Sequence, residues 1–316
     1  MIFLSEYAII KKPMNKILRN FSQLLPVWVI LAGVLGYFYP AFYLLWRNYN
    51  EWFFALTMVG VGAVLHPQDF RFIRRQPQIV FLGTLAQFLI MPALGFSIGY
   101  LLGLPRDLRL GLIVVGAVPG AMASNVISYL AGADAAYSIS LTTSSTLLAP
   151  VLTPFFTYLF ARTLVPVPVA SMFFSIFKMV VIPLLVGFSL RSIFPTAIEE
   201  IKEIFPAVSV IFISFICGLV VALNRDSFGQ INWLIFAAIV LHNFFGLFFG
   251  YLAGLLYRLD IRRVRTLAIE VGMQNAGLGA VLSLKYFTEL TALPNALFAT
   301  WCVITASLLV VIWRRN

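Results

Sequence analysis

The chain has 316 residues, of which 61% are hydrophobic and 11% charged, and its mean hydropathy is +0.96. This composition is too apolar for a soluble globular domain and predicts a polytopic membrane protein. The formal net charge is +10, but the basic residues lie in short loops beside apolar segments, so no nucleic-acid partner is predicted. The two cysteines, Cys217 and Cys302, lie far apart in apolar segments, which excludes a disulfide framework.

Ten apolar runs are predicted to cross about 30 Å of hydrocarbon as helices. They cover residues 24–38, 52–65, 79–103, 110–131, 135–161, 170–190, 205–223, 231–257, 266–286 and 294–313. Residues 1–23 form a basic lead-in, residues 24–162 the first group of five helices, residues 163–169 a Pro-rich connector, and residues 170–313 the second group. The fold class predicted is therefore an all-α polytopic membrane protein with ten transmembrane helices.

Charge and repetition predict the orientation of these helices. With the N-terminus in the cytoplasm, fifteen Lys and Arg lie at inner ends and six at outer ends, so both termini of a multi-pass protein of the cell (inner) membrane are expected to be cytoplasmic. Residues 106–116 resemble residues 262–272 in pattern, at an offset of 156. Because five spans separate the copies, the second enters the membrane from the opposite side, as in the inverted repeats of secondary transporters.

Glu270 is the one acid inside the predicted spans, and a carboxylate there is by default a functional-site hypothesis. Gln274 and two glycines follow it in the ninth span, while the fourth span contains Pro119-Gly120 shortly before Ser124-Asn125. Such helix breakers at symmetric positions serve either close packing or an unwound backbone that lines a binding site. We interpret the pair as two broken helices that face each other.

Ser138 and Thr142 lie four residues apart in the fifth span and so share one helix face. Their hydroxyls, with amide and carboxylate oxygens and without His or thiolate, suit a hard cation such as Na⁺. Two Na⁺ beside one Glu would leave a local charge of about +1 and favour an anionic partner. The neighbours Thr143, Ser144 and Ser145 are expected to bond back to carbonyls of the previous turn.

Two other buried polar residues have alternative interpretations. Gln87 is an isolated amide ahead of Pro92 in the third span, and it is either an ion ligand or the donor of a helix–helix hydrogen bond. His242 in the eighth span is either part of a proton relay or, as we prefer, a helix–helix hydrogen-bond partner.

The run from Glu270 to Gly277, with Pro119-Gly120 and Ala123-Ser124-Asn125, resembles the paired signature of the bile acid sodium symporter family over nearly the whole chain. The resemblance implies a panel domain of helices 1, 2, 6 and 7, and a core domain of helices 3, 4, 5, 8, 9 and 10 in which helices 4 and 9 cross. The first Na⁺ site that it implies consists of Ser124, Asn125, Ser138, Thr142 and Glu270. The second consists of Gln87, Glu270, Gln274 and the backbone carbonyls of Val271 and Met273.

The substrate positions implied by the resemblance are Gly120, Met122, Asn275 and Cys302. Family members usually have a small polar residue in place of Met122, and a Trp-His-Asn run in place of Trp301-Cys302-Val303. The substrate is therefore expected to be a bile-acid-like anion or a smaller carboxylate such as pantoate.

No nucleophile with a base, carboxylate pair or metal cluster is visible, so an enzyme is not expected. We predict a Na⁺ symporter of an organic anion that works by alternating access, as a monomer among membrane lipids. The alternatives are a proton-coupled anion exporter, a channel, and a receptor that binds without cycling.

Overall fold

The computed structural model describes residues 17–18, 20–226 and 233–314. Most of the predicted basic lead-in and the predicted start of the eighth span at Ile231 lie outside these residues. The regular elements of the described chain are helices, joined by short connections, and the described residues contain one isolated β-bridge. The helices are α1 Leu25–Phe38, α2 Pro40–Leu45, α3 Asn50–Val64, α4 Asp69–Arg75, α5 Pro77–Leu101, α6 Arg106–Ala117, α7 Ala123–Leu130, α8 Ala135–Ala161, α9 Val169–Ile176, α10 Ile182–Ile193, α11 Pro195–Ile201, α12 Ile204–Leu223, α13 Leu234–Leu256, α14 Ile261–Gly272, α15 Ala276–Tyr286 and α16 Glu289–Arg314.

Within the described residues, six helices are long and apolar enough to cross a membrane. A π-helical turn, Phe177–Val181, joins α9 and α10 into one of them. The six are Pro77–Leu101, Ala135–Ala161, Val169–Ile193, Ile204–Leu223, Leu234–Leu256 and Glu289–Trp313. In hydrocarbon, no water is present to bond the backbone, so each N–H and C=O group must be bonded inside the segment. A long apolar sequence therefore forms one long helix.

The other predicted spans are shorter or interrupted. Helices α1 and α3 have 14 and 15 residues. The fourth span is divided into α6 and α7 with 12 and 8 residues, and the ninth into α14 and α15 with 12 and 11. Each half is too short to cross the hydrocarbon alone, at 1.5 Å per residue.

Helix α3 packs against α10, and α1 packs against α12. The α3–α10 contact is close because glycines face backbone on both sides. A Cβ on Gly62 would collide with the carbonyl of Leu184, and one on Gly187 with the carbonyl of Val59. Small residues allow such helix contacts in a membrane, where van der Waals packing replaces the hydrophobic effect.

The two interruptions pair with each other. Val118 and Met273 are extended, with ψ values of 161° and 110°, and Gly120 forms an antiparallel bridge with Gln274. The N–H of Ala121 donates to the Met273 carbonyl at 3.0 Å. These bonds pair some of the backbone N–H and C=O groups that lose their helical partners at the breaks. They also hold the end of α14 against the start of α7.

Candidate functional site

Glu270 lies in the last turn of α14 and is fully buried. Its Oε1 accepts hydrogen bonds from Ser124 Oγ at 2.5 Å, from Ser138 Oγ, and from Thr142 Oγ1 at 3.1 Å. Thr142 Oγ1 also lies 3.0 Å from Oε2. The carboxylate therefore sits among three hydroxyls, and none of the ion pairs between described residues includes it.

Two helices, α7 and α8, supply the oxygens that surround Glu270. Ser124 and Asn125 lie in the first turn of α7, directly after the break, and Ser138 and Thr142 share one face of α8. Asn125 Oδ1 lies 2.9 Å from Ser138 Oγ and 3.1 Å from Thr142 Oγ1. The structure thus brings together all five residues of the first predicted cation set.

This cluster has more acceptors than protons to share. Each hydroxyl carries one proton, yet Thr142 Oγ1 faces both Glu270 oxygens, Asn125 Oδ1 and the Ser138 carbonyl. A carboxylate, an amide oxygen and hydroxyl lone pairs therefore converge on one buried volume. Such a set of hard oxygens fits a Na⁺-sized cation, which would take the surplus lone pairs.

The second predicted set is adjacent but more internally bonded. Gln87 Nε2 donates to Gln274 Oε1 at 3.3 Å, and Gln274 Nε2 donates to the Val271 carbonyl at 2.7 Å. The Met273 carbonyl accepts from Ala121 N–H, which leaves it one lone pair. Gln87 Oε1 is buried and has no hydrogen-bond partner among the described residues. This oxygen is the orphaned acceptor that a second cation would satisfy.

Gly120 lies between the two sets. An ideal Cβ on this residue would be 2.8 Å from Glu270 Oε2, and 3.7 Å from Gln87 Oε1. Both side chains therefore approach the same point of the backbone. A side chain at position 120 would collide with the Glu270 carboxylate, so glycine is required for the carboxylate to lie against the break.

The other predicted substrate positions surround the same interruption. Asn275 Oδ1 caps α15 by accepting from Leu278 N–H at 3.2 Å. Met122 is half-buried, and its sulfur lies 3.9 Å from Asn125 Nδ2. Cys302 is buried in α16 beside the backbone of Gln274. The thiol and the thioether add apolar surface next to the oxygen cluster.

Two supporting contacts escaped sequence reasoning. Ser145 Oγ accepts from Gly120 N–H at 3.4 Å while it donates to the Thr142 carbonyl at 3.1 Å, so its role exceeds the expected back-bond. Asn243 on α13 donates to the carbonyl of Gly272 at 2.8 Å. In the sequence, Asn243 is an amide inside an apolar segment. This position indicates a hydrogen bond but does not identify the partner.

The structure shows the hydrogen bonds of Gln87 and His242, the two residues with alternative interpretations. Gln87 makes the helix–helix bond to Gln274, which leaves its Oε1 available. His242 is buried, and its Nε2 donates to the Met91 carbonyl at 2.9 Å, as the helix–helix interpretation expects. The expected back-bond of Thr143 is absent, since its Oγ1 has no partner among the described residues.

Comparison with solved structures shows the fold. The sodium proton antiporter MjNhaP1 from Methanocaldococcus jannaschii superimposes with a TM-score of 0.60, at 12% identity, over 99% of this chain and 97% of that one. At that identity, the likeness concerns architecture alone.

Sequence comparison shows the family. Residues 52–231 match the model described as "Sodium Bile acid symporter family". The "Uncharacterized sodium-dependent transporter YocS" of Bacillus subtilis is 38% identical over 96% of this chain and 94% of its own length. The "Probable sodium/metabolite cotransporter BASS1, chloroplastic" of Arabidopsis thaliana is 33% identical over 93% and 74%.

These matches confirm the predicted resemblance and the prediction of a membrane transporter rather than an enzyme. Together with the six long apolar helices, they identify a multi-pass membrane protein. The chain belongs to the sodium bile acid symporter family.

Proposed function

We propose that the protein is a Na⁺-coupled symporter of an organic anion. The observation that carries the proposal is the buried Glu270 carboxylate, surrounded by oxygens from α7 and α8. A buried carboxylate is costly unless it is protonated or paired with a cation. Since the described residues supply oxygens in place of a basic partner, the compensating charge comes from an ion that the protein transports. The names of the relatives, a sodium-dependent transporter and a sodium/metabolite cotransporter, support Na⁺ as that ion.

We assign two Na⁺ that share Glu270. The first is held by Ser124, Asn125, Ser138, Thr142 and Glu270; the second by Gln87, Glu270, Gln274 and the carbonyls of Val271 and Met273. The support is the convergence of the first set and the orphaned Gln87 oxygen of the second. The substrate region of the proposal consists of Gly120, Met122, Asn275 and Cys302.

Two cations on one carboxylate explain coupling. One Na⁺ would neutralise Glu270, and the second would leave the binding site with a charge of about +1, which attracts an anion in a medium of low dielectric constant. The anion therefore binds well only after both ions. Met122 and Cys302 make the neighbouring surface apolar, which suits a small carboxylate with a hydrocarbon portion.

Alternating access follows from the proposed architecture. Two inverted five-helix repeats form a core domain, which contains the broken helices, and a panel domain made of helices 1, 2, 6 and 7. Movement of the core against the panel exposes the site first to one side of the membrane and then to the other. The termini and the basic loops face the cytoplasm in this arrangement.

The test compares the purified protein in Na⁺ and K⁺ by thermal denaturation. At a Na⁺ concentration of 100 Kd, ligand linkage stabilises the folded state by about 2.7 kcal/mol per site. Glu270→Gln should abolish the stabilisation, whereas Glu51→Gln, at an exposed carboxylate paired with Lys285, should keep it. Na⁺ stabilisation that survives Glu270→Gln would contradict the proposal.

Uptake into proteoliposomes distinguishes the coupling ion. With two cooperating sites, uptake of a candidate carboxylate should follow the Na⁺ gradient with a Hill coefficient of about 2. Uptake that persists in K⁺ and collapses with a protonophore would instead establish the proton-coupled alternative.

A further inference from the structure

A cavity lies at the opposite end of α7 from the oxygen cluster, between the start of α14 and the end of α16. Its volume is about 350 Å³. The lining residues are Tyr129, Leu130, Ala131, Gly132, Arg265 and Trp313. Tyr and Trp, two of these residues, are enriched at membrane–water interfaces, where they place an apolar ring beside a polar edge.

Arg265 and the nearby Arg262 and Arg263 have different partners among the described residues. Arg263 forms ion pairs with Asp134 at 3.1 Å and with Asp260 at 3.3 Å, and Arg262 donates to the Ala133 carbonyl at 3.3 Å. Among the described residues, no carboxylate lies within ion-pair distance of Arg265.

Its guanidinium instead contacts one aromatic residue. The carbon of the guanidinium lies 5.5 Å from the ring centroid of Trp313, and Nη1 donates to the Trp313 carbonyl at 3.4 Å. A guanidinium has five N–H donors, the bond to Trp313 uses one of them, and Arg265 lines the cavity. A planar fork of this kind matches the oxygens of a phosphate group.

The remaining walls favour a lipid over a free phosphate ion. The N–H groups of Ala131 and Gly132 are bonded to the carbonyls of Ile127 and Tyr129, so the backbone supplies no nest of donors for a free anion. Tyr129 and Leu130 are exposed, with 73% and 36% of their surface accessible. A lipid can bring a phosphate to Arg265 and lay its glycerol and first methylenes on these side chains.

We propose that this cavity binds the headgroup of an anionic phospholipid, with the phosphate on Arg265 between α7, α14 and α16. Arginine near a membrane surface attracts anionic lipid, and basic pockets between membrane helices bind lipid headgroups. The bound lipid joins the end of α7 to α14 and α16. Since Ser124 and Asn125 are at the other end of the eight-residue α7, the lipid holds in place the helix that carries two oxygens of the candidate cation site. The proposal does not depend on which ion or substrate is transported.

The experiment measures the melting midpoint of the full-length protein in lipid nanodiscs. The nanodiscs contain phosphatidylcholine with an increasing fraction of phosphatidylglycerol, and a parallel series adds inorganic phosphate to phosphatidylcholine alone. Phosphatidylglycerol should raise the midpoint with saturation. Arg265→Gln should shift the half-saturating fraction upward by roughly fivefold, since a surface Arg contributes about 1 kcal/mol to binding of anionic lipid.

The matched control is Arg74→Gln, which removes the same charge from an exposed position on α4 that does not line the cavity. It should leave the half-saturating fraction unchanged. Equal shifts in the two variants would mean diffuse attraction and would overturn the proposal. Stabilisation by inorganic phosphate alone would overturn the lipid assignment.

Arg265→Lys covers the case in which the Gln variant fails to fold. Lysine keeps the charge and loses the planar fork, so weaker lipid binding than in the wild type is expected. Wild-type binding in the Lys variant would overturn the forked phosphate contact.

Discussion

Gly120→Ala tests whether the break in the fourth span exists to admit the Glu270 carboxylate. The backbone at Gly120 has no positive φ, so alanine is compatible with its conformation. The change acts through space alone. It leaves every proposed cation ligand in the sequence, which separates this test from the removal of a ligand.

The structure sets the size of the effect. An ideal Cβ at position 120 lies 2.8 Å from Glu270 Oε2, whereas ordinary van der Waals contact begins at 3.4 Å, so the carboxylate must retreat by about 0.6 Å. Overpacking of this kind costs roughly 1–3 kcal/mol. A hydrogen bond to a charged group contributes about 1.5–3 kcal/mol. If the retreat breaks the 2.5 Å bond to Ser124, we expect the half-saturating Na⁺ concentration to rise about tenfold or more.

The assay is the Na⁺ dependence of the melting midpoint in detergent. Gly277→Ala is the matched control, because its Cβ would meet Phe54 Cε2 at 3.5 Å and Asn275 Oδ1 at 3.7 Å, which are ordinary contacts. As Gly277 lies in α15, alanine there should preserve or raise stability. The Gly277→Ala variant should keep the wild-type Na⁺ midpoint. An unchanged Na⁺ midpoint in Gly120→Ala would refute the close approach of the carboxylate to the break.

Three further predictions concern packing, the support of the break and pH. Gly187→Ala should destabilise the fold by roughly 1–3 kcal/mol in denaturant titration, because its Cβ would collide with the Val59 carbonyl; Gly33→Ala, whose Cβ meets only Val221 at 3.6 Å, is the control, and equal losses would contradict the packing argument. Asn243→Ala should cost about 1–3 kcal/mol in the same titration, because the Gly272 carbonyl loses its donor at 2.8 Å; wild-type stability would show that water replaces the amide. Hydrogen bonds from Lys202 and Arg191 lower the pKa of Glu199, so its stabilisation is complete above the unfolded-state pKa and disappears as the pH falls through the folded-state value. Since Glu199 is 47% exposed, Glu199→Gln should lower stability at neutral pH by at most about 1 kcal/mol, and the difference from the wild type should vanish in acid; a difference that persists in acid would contradict this assignment.

Local chemistry explains what the sequence could predict. Continuous apolar runs identify α5, α8 and α13, because a segment in hydrocarbon satisfies its own backbone N–H and C=O groups by forming a helix. Pro119 has no backbone N–H to donate and Gly120 has no side chain, so this pair predicts an interruption of the helix. The four-residue spacing of Ser138 and Thr142 predicts their common face.

Contacts between distant segments could not be obtained in this way. Ser124 and Glu270 are 146 positions apart, and Asn243 meets Gly272 across two helices. Whether a hydroxyl turns to its own helix or to a neighbour depends on packing that spacing does not encode. Ser145 does both, while Thr143, two residues earlier, does neither among the described residues.

The pairing of the two breaks has a mechanical consequence for the proposed transport cycle. The N–H of Asn275 donates to the Pro119 carbonyl at 2.8 Å, and Ala121 donates to Met273 at 3.0 Å. Separating the breaks would leave these buried groups without partners, at about 1–3 kcal/mol for each group. We therefore expect α6, α7, α14 and α15 to move as one body, with the oxygen cluster intact. Access to the site would then change where this body slides against helices such as α3 and α10, which pack closely against each other at their glycines.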